Sequence, residues 1–393
     1  KRGEYPMKAE KIIFDRNEEA AGIAVFDETG LMEIDIYNEN RALEGNVYLG
    51  RICKKISLAN NHVGFMVNIG DGHEAFLNSY EPTLKEAGMS EGQSVVVQVV
   101  QEKRAEKGAK VVRNIQLAGT YLVYCPFKFD VEASSKIEDI EKVSAYKKIV
   151  QEHSLGQEGW ILRTASTEAT EPQLLEEMTA LREIYENIRK KARTLTAPAV
   201  LYTKENPLFE YIRRYKDSLK EIVVDTPKLK EQIESVFAGM VTLKKEAFEE
   251  FGVDDAIVEA LNRTVKLKHG GNLHIEETRA FVAIDVDSGG KRSVGDLDSL
   301  NIEAAKEIAR QIRLRNLSGK IIIDFAGSSE YRFMKKVLEV LEEELADDIC
   351  HSRVLGLSRA GNVEILRQRR RPSLRDLYTV ECPTCSGTGR VEP

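Results

Sequence analysis

Two aspartates end short apolar segments that are typical of β-strands. The pair is Asp285, in Phe281-Val-Ala-Ile-Asp-Val-Asp, and Asp324, which follows Lys320-Ile-Ile-Ile; Asp287 ends the first segment. A carboxylate in such a strand is costly to bury unless positive charge compensates it, and a divalent metal ion compensates two convergent carboxylates. Asp287 faces the same side of its strand as Asp285 and is a further candidate ligand. The pattern predicts chemistry at a bound metal ion, for which magnesium is the candidate.

A helix between the two strands must bring these aspartates together, because they are far apart in the sequence. Residues 301–314 place isoleucines and alanines at helical spacing, and the Asp324 strand follows directly. A strand–helix–strand crossover predicts two adjacent parallel strands with both aspartates near their carboxyl ends. Active sites of open α/β sheets lie at that edge. The alternative for each aspartate is a structural role, in which it caps a helix or pairs with an arginine.

Residues 45–124 predict a small antiparallel barrel, because short runs alternate apolar and polar residues between glycine-bearing turns. Phe65 and Phe76 flank a glycine-rich turn, and Lys107 lies in a basic segment that follows one strand. Aromatic rings for base stacking beside cations for phosphates are what a barrel needs to bind a single nucleic-acid strand. The alternative is a pair of core phenylalanines near an exposed, lysine-rich loop.

Arg163 and Thr164 come at the end of a predicted strand, residues 159–164, and precede a helix predicted over residues 172–193. Such a pair suits a terminal phosphate, because the guanidinium offers two hydrogen bonds and the hydroxyl offers a third. A surface salt bridge of Arg163 is the alternative, and it is the more common situation.

Cys382 and Cys385 form a Cys-x-x-Cys pair followed by glycines, which is half of a structural zinc site. Such a site needs four ligands, and the sequence has no second pair of this kind. We therefore expect the missing ligands from a second chain, in a homodimer bridged by one zinc ion. The alternative is two reduced surface thiols; five cysteines at these positions do not suggest a disulfide framework.

Length and charge limit the remaining possibilities. The chain has 393 residues, which predicts two to four domains. It has no apolar run of about 18 residues and no secretory signal pattern, so we expect a cytoplasmic protein. A net charge of −7 by itself disfavours a nucleic-acid partner. Arginines nevertheless cluster between residues 351 and 375, where Arg359 and Arg367 are candidates for binding phosphates; a solvated surface is the alternative.

These motifs, in this order, resemble those of the bacterial ribonuclease E/G endonucleases, in particular a short, ribonuclease G-like member. The similarity rests on the barrel, the Arg163-Thr strand end, Ile284-Asp-Val-Asp-Ser-Gly, Ile322-Ile-Asp-Phe and Cys382-Pro-Thr-Cys-Ser-Gly-Thr-Gly. The resemblance implies a multidomain α+β protein: an RNase H-like scaffold interrupted by an OB (S-one-type) barrel and a 5′-sensor, then a DNase I-like α/β catalytic domain and a zinc-link. The implied boundaries are 7–38 and 195–264 for the scaffold, 39–122 for the barrel, 123–194 for the sensor region, 265–381 for the catalytic domain and 382–393 for the zinc-link.

The resemblance also implies a magnesium-dependent endoribonuclease that cleaves single-stranded RNA to 5′-phosphate and 3′-hydroxyl ends, in rRNA processing and mRNA decay. By motif, Asp285 and Asp324 fall on the magnesium ligands, and Arg163 and Thr164 on a sensor of the 5′ monophosphate. The remaining positions are Phe65, Phe76 and Lys107 on the RNA-binding barrel, and Cys382 and Cys385 on the zinc link between subunits.

The sequence departs from the family pattern at Asp287, where an asparagine is usual, and after Asp324-Phe, where Ala-Gly stands in place of Ile-Asp. Two alternatives to the ribonuclease are a non-catalytic RNA-binding protein that uses the barrel and a DNA-directed nuclease. Binding without cleavage would support the first. Cleavage of DNA at least as fast as RNA would support the second.

Overall fold

The chain forms two compact units, Lys1–Glu39 with Glu205–Pro393 and Asn40–Lys204. Within the described residues, no helix is long and apolar enough to cross a membrane. Strands and helices are numbered in chain order. The computed structural model describes residues 8–18, 20–39, 41–58, 62–78, 88–103, 108–135, 137, 139–290, 293–327, 331–346, 348–385, 387 and 389.

One five-stranded sheet of the first unit starts as an antiparallel meander of β1 (Lys11–Arg16), β2 (Ala21–Asp27) and β3 (Gly30–Tyr37). Two later strands, β14 (Glu221–Val224) and β15 (Met240–Leu243), extend it in parallel to give the order β15-β14-β1-β2-β3. Strand β1 lies in the middle and has four consecutive buried residues, as expected for a strand covered on both faces. The neighbouring helices are α3 (Leu208–Tyr215), α4 (Pro227–Glu234), α5 (Ala247–Glu250) and α6 (Val253–Ala260).

The second sheet of this unit contains the predicted crossover. Strands β18 (Val282–Asp287) and β19 (Gly319–Asp324) are parallel neighbours joined by helix α7 (Val294–Leu314). The helix begins before the predicted residue 301, because the Ser293 hydroxyl caps it by accepting a hydrogen bond from the Asp296 N–H. The sheet order is β16-β17-β18-β19-β21-β20. Its other elements are β16 (Thr264–Lys266), β17 (Asn272–Glu277), α8 (Tyr331–Leu345), β20 (Arg353–Leu357), β21 (Val363–Arg367) and α9 (Leu374–Tyr378).

The second unit contains a closed five-stranded barrel, which confirms the predicted barrel. Its order is β4-β5-β6-β8-β7, and β7 pairs with β4 again to close it. The barrel can close because β4 is long enough to pair with two strands: its first half pairs with β7 and its second half with β5. The architecture is consistent with an OB fold. The strands are β4 (Val47–Ser57), β5 (Val63–Asn68), β6 (Glu74–Asn78), β7 (Ser94–Gln101) and β8 (Lys110–Val112), with β13 (Ala199–Tyr202) paired to the start of β4.

A smaller sheet with the order β11-β12-β10-β9 lies in the same unit and is where the predicted strand before Arg163 belongs. Glu177 of the long helix accepts hydrogen bonds from the N–H groups of Tyr121 (2.8 Å) and Leu122 (2.7 Å), which fix that helix to the sheet. The helix predicted over 172–193 is confirmed. The elements are β9 (Leu117–Ala118), β10 (Leu122–Cys125), β11 (Val131–Ala133), β12 (Gly159–Leu162), α1 (Ile140–Glu152) and α2 (Glu171–Thr194).

Candidate active site

Asp285 and Asp324 lie directly opposite each other on β18 and β19. Paired residues of adjacent strands point to the same face of a sheet, and neighbouring strands are about 4.8 Å apart. Both carboxylates are therefore within reach of one small ion. The crossover placed them at the carboxyl ends of parallel strands, as the sequence predicted.

The two carboxylates are exposed, so the metal ion is not needed to compensate for their burial. Helices α7 and α8 pack on one face of the sheet only, against alternate residues such as Ile284 and Ile323. The residues between these point to the open face, which gives β18 its alternating burial. Neither the Asp285 nor the Asp324 carboxylate has a hydrogen bond or ion pair to any other described residue.

This donor set fits magnesium. The ion binds through one or two carboxylates and keeps several of its waters, so it needs two open carboxylates rather than a closed cage of protein ligands. In the part of the chain that the structure describes, no group of three or more His, Cys, Asp or Glu side chains is arranged to hold a metal.

Asp287 lies on the same face, next to this pair. Its carboxylate accepts hydrogen bonds from the Asn272 side-chain amide (3.4 Å) and from the Gly289 N–H (3.2 Å). These contacts hold it in place beside the carboxylate pair and leave it exposed. Asp287 therefore adds negative charge beside Asp285 and Asp324, which together already form the carboxylate pair.

His274 is a neighbour that the sequence analysis missed. It lies directly opposite Asp285 on β17, and its Nδ1 is 3.1 Å from the Thr264 hydroxyl. Period-two alternation along β17 would have placed it on the open face.

The two candidate arginines have different environments. Arg359 is exposed in the turn between β20 and β21, and because Ile323 pairs with Val363 this turn lies beside the end of the Asp324 strand. Arg367 is 2% exposed and binds Asp348 through two hydrogen bonds, of 2.8 and 2.9 Å. The expectation that Arg367 contacts RNA is corrected, because its guanidinium is buried and already paired.

The structure of the barrel also corrects the predicted role of one phenylalanine. Phe65 is 4% exposed and packs inside the barrel, because it alternates with outward-facing residues. Its neighbour Met66 faces outwards, directly opposite Phe76. The register extends this pair on both sides to exposed lysines, Lys54 opposite Met66 and Lys110 opposite Phe76. Lys107 lies outside the described residues.

Arg163 and Thr164 are at the end of β12, as predicted. Arg163 is half-buried, and its guanidinium donates a hydrogen bond to the Gly119 carbonyl. Thr164 is exposed and starts the 3-10 helix Thr164–Glu168. The pair therefore borders the turn that Glu177 holds.

Cys382 is exposed and Cys385 half-exposed, in a turn beyond α9. Hydrogen bonds from the backbone N–H groups of Cys385 and Thr384 lower the pKa of the Cys382 thiol. Zinc binds the thiolate form, so the pair fits half of a zinc site.

Comparison with known proteins identifies the family. The model of the ribonuclease E/G family matches residues 116–370, more than half of the chain. The chain belongs to the ribonuclease E/G family. It is 32% identical to ribonuclease G of Escherichia coli (strain K12), over 94% of this chain and 82% of that protein. It is 30% identical to ribonuclease G of Haemophilus influenzae, over 98% of this chain and 85% of that protein. Against ribonuclease E of Escherichia coli (strain K12) the identity is 31%, over 95% of this chain and 38% of the larger protein.

The resemblance found in the sequence is thus confirmed as membership of the ribonuclease E/G family. The matched residues include Arg163, Asp285 and Asp324. They do not include the barrel strands β4–β8 or the two C-terminal cysteines.

Proposed function

We propose that the chain is a magnesium-dependent endoribonuclease that cleaves single-stranded RNA to 5′-phosphate and 3′-hydroxyl ends, in rRNA processing and mRNA decay. Membership of the ribonuclease E/G family gives the enzyme class, an endoribonuclease that acts in RNA processing. The observation that carries the metal site is the register of Asp285 and Asp324 on an open sheet face. Without a cation, two exposed carboxylates would repel a phosphate.

Asp285 and Asp324 are the residues that would hold the ion. When bound, magnesium supplies positive charge at the scissile phosphate and activates the attacking water. Asp287, held by Asn272 and Gly289, increases the negative potential around the pair. Arg359, exposed beside the end of the Asp324 strand, is placed to bind a phosphate of the RNA.

The barrel face is proposed to bind the RNA strand. Phe76 and Met66 provide an apolar surface for a base, and Lys54 and Lys110 provide cations on either side of it. Aromatic stacking combined with phosphate neutralisation is how OB barrels bind single strands. We keep Phe76 and Lys107 as RNA-binding candidates and replace Phe65 with Met66.

Arg163 and Thr164 are proposed to bind a 5′ monophosphate. Their position at the end of β12, beside the turn whose Tyr121 and Leu122 N–H groups bond to Glu177, brings a guanidinium and an exposed hydroxyl together and supports this role. Arg163→Ala should remove any preference for 5′-monophosphorylated over 5′-hydroxyl RNA. A variant that keeps the wild-type preference would rule the sensor out.

The remaining assignments concern the scaffold and the assembly. The sheet of three antiparallel and two parallel strands supports an RNase H-like scaffold. Its strands lie within the proposed segments 7–38 and 195–264, although β13 (Ala199–Tyr202) pairs with barrel strand β4. Cys382 and Cys385 are proposed to share one zinc ion with a second copy, which makes a homodimer. The DNase I-like assignment of residues 265–381 and the cytoplasmic location stay predictions.

One experiment separates the ribonuclease from its alternatives. Labelled single-stranded RNA and DNA of the same sequence are incubated with the protein, in magnesium and in EDTA, and the product ends are mapped. Internal cuts in RNA only, dependent on magnesium and ending in 5′ phosphates, support the proposal. RNA binding without cuts supports the non-catalytic alternative, and equal or faster cleavage of DNA supports a DNA-directed nuclease.

A further inference from the structure

A cavity of about 370 Å³ lies between the barrel and helix α2 in the second unit. Its size falls in the range of ligand sites, about 300–1,000 Å³. Three arginines line it, and no acidic side chain does, although the chain as a whole has a net charge of −7. Arg189 is paired with Glu186 at 2.7 Å, so the positive charge of the cavity lining comes chiefly from Arg113 and Arg193. The apolar lining of the cavity includes Val95, Val96, Ile115, Ile188 and Ala192.

An aromatic ring stands at the rim of the cavity. Phe127 is 44% exposed, and its ring meets Tyr185 edge to face, with 6.3 Å between the ring centroids. Tyr185 in turn packs on Tyr124 at 5.7 Å. A single exposed aromatic residue is ordinary on a protein surface. This one is supported by two further rings and adjoins cations, which is the combination that binds bases of a single strand.

The three arginines come from two separate elements. Arg113 follows barrel strand β8, whereas Arg189 and Arg193 belong to α2. The Arg193 guanidinium has no hydrogen bond or ion pair to any residue that the structure describes. Cations in the last turn of a helix stabilise its dipole, which by itself accounts for Arg193. That effect does not account for Arg113, which the barrel brings to the same cavity.

We propose that this cavity binds a base and adjacent phosphates of the RNA substrate, with Phe127 stacking on the base and Arg113 and Arg193 contacting phosphates. The inference rests on the proposed ribonuclease function and adds a site to it. Helix α2 links the cavity to the sensor, because Glu177 lies beside the Arg163 turn and Arg189 at the cavity, about 18 Å apart along the helix. A continuous RNA strand reaches both, which a free mononucleotide does not.

The test measures binding of a 5′-monophosphorylated, fluorescently labelled single-stranded RNA to the full chain in EDTA, where cleavage is prevented. Phe127→Ala should weaken binding by about 5-fold to 100-fold, the range for loss of one base–aromatic stack. Phe127→Trp should keep most of the affinity. The matched control is Phe129→Ala, which removes an exposed aromatic two residues away that does not line the cavity.

The charge contribution is tested by salt dependence. Arg193→Ala should reduce the slope of log affinity against log salt by about 0.7, the value for one phosphate contact on a single strand. Lys190→Ala, an exposed cation on the same helix outside the cavity, should leave the slope nearly unchanged. Circular dichroism confirms that each variant is folded.

The outcomes separate this inference from the proposed function. If the wild type cuts RNA but Phe127→Ala binds it as tightly as Phe129→Ala does, the cavity site is wrong and the ribonuclease stands. If the wild type neither binds nor cuts RNA, the proposed function itself fails. Adenosine or uridine monophosphate that displaces RNA at micromolar concentration would also overturn the inference, because the cavity would then be a mononucleotide site.

Discussion

Met66 lies directly opposite Phe76 on the outer face of the barrel. The edge of the Phe76 ring lies over Gly64, where an added Cβ would come within 2.7 Å of a ring carbon. With Lys54 and Lys110 on either side, this row combines an apolar centre with two cations. Phe65, one residue before Met66, belongs to the core instead.

Phe76→Ala should weaken RNA binding by about 5-fold to 100-fold, because a stacking surface is lost. Phe65→Leu should leave RNA affinity near the wild-type value and lower stability instead, because it changes the packing of the barrel core. Anisotropy titrations and urea unfolding measure the two effects separately. Weaker RNA binding by Phe65→Leu with unchanged stability would reverse the assignment.

Asp287→Asn should raise the magnesium concentration for half-maximal cleavage by about 3-fold to 10-fold, because one charge beside the metal carboxylates contributes on the order of 1 kcal/mol at an exposed site. Magnesium titrations of the cleavage rate provide the measurement. Glu276→Gln is the control, since it removes an exposed carboxylate from the same sheet, opposite Ala283 rather than Asp285. An equal shift in both variants would show a general charge effect instead.

Arg367→Met should lower the free energy of unfolding by about 3–5 kcal/mol, because it leaves the buried Asp348 carboxylate unpaired. Burial raises the pKa of Asp348, but the charge and hydrogen bonds of Arg367 outweigh it and hold the pKa below its usual range. The pair therefore stabilises the wild type at neutral pH, and this contribution is lost as the pH falls below about 4.

The double variant Arg367→Met with Asp348→Leu should recover much of the loss, because no unpaired charge stays buried. Arg359→Met, at an exposed position, should change stability by less than about 0.5 kcal/mol. Urea unfolding at pH 7 measures all three. A stable Arg367→Met variant with weak RNA affinity would return Arg367 to the RNA-binding residues.

Cys382→Ser should convert a homodimer into monomers and remove about half an equivalent of zinc per chain, because one ion is shared by four thiolates from two chains. Light scattering gives the mass, and elemental analysis gives the zinc content. Cys53→Ser, at an exposed cysteine of β4, is the control. An unchanged mass for Cys382→Ser would exclude the zinc bridge.

The sequence was sufficient to predict the elements that carry Asp285 and Asp324, because local periodicity and the crossover rule act within that segment. It was not sufficient to predict that the sheet face is open, since this depends on where α7 and α8 pack. Arg359 and Arg367 look alike in the sequence, and what distinguishes them is the burial of Arg367 against residues from other elements, Asp348 and Asn316. Phe65 was assigned to the wrong face of its strand because successive side chains in a strand point to opposite faces, so an error of one residue reverses the assignment.

The start of α7 was missed although Ser293 and Asp296 carry an N-cap pattern.

The most direct test of the metal site uses Asp285→Asn and Asp324→Asn, each compared with wild type on 5′-monophosphorylated single-stranded RNA. We expect each variant to lose cleavage by on the order of 100-fold or more in magnesium, since removal of one ligand costs several kcal/mol of transition-state stabilisation. RNA affinity in EDTA should stay within about 2-fold of the wild type, because loss of one exposed, solvent-screened charge changes the repulsion of phosphates only slightly. Magnesium-dependent cleavage that continues at the wild-type rate in either variant would contradict the assignment of these two aspartates.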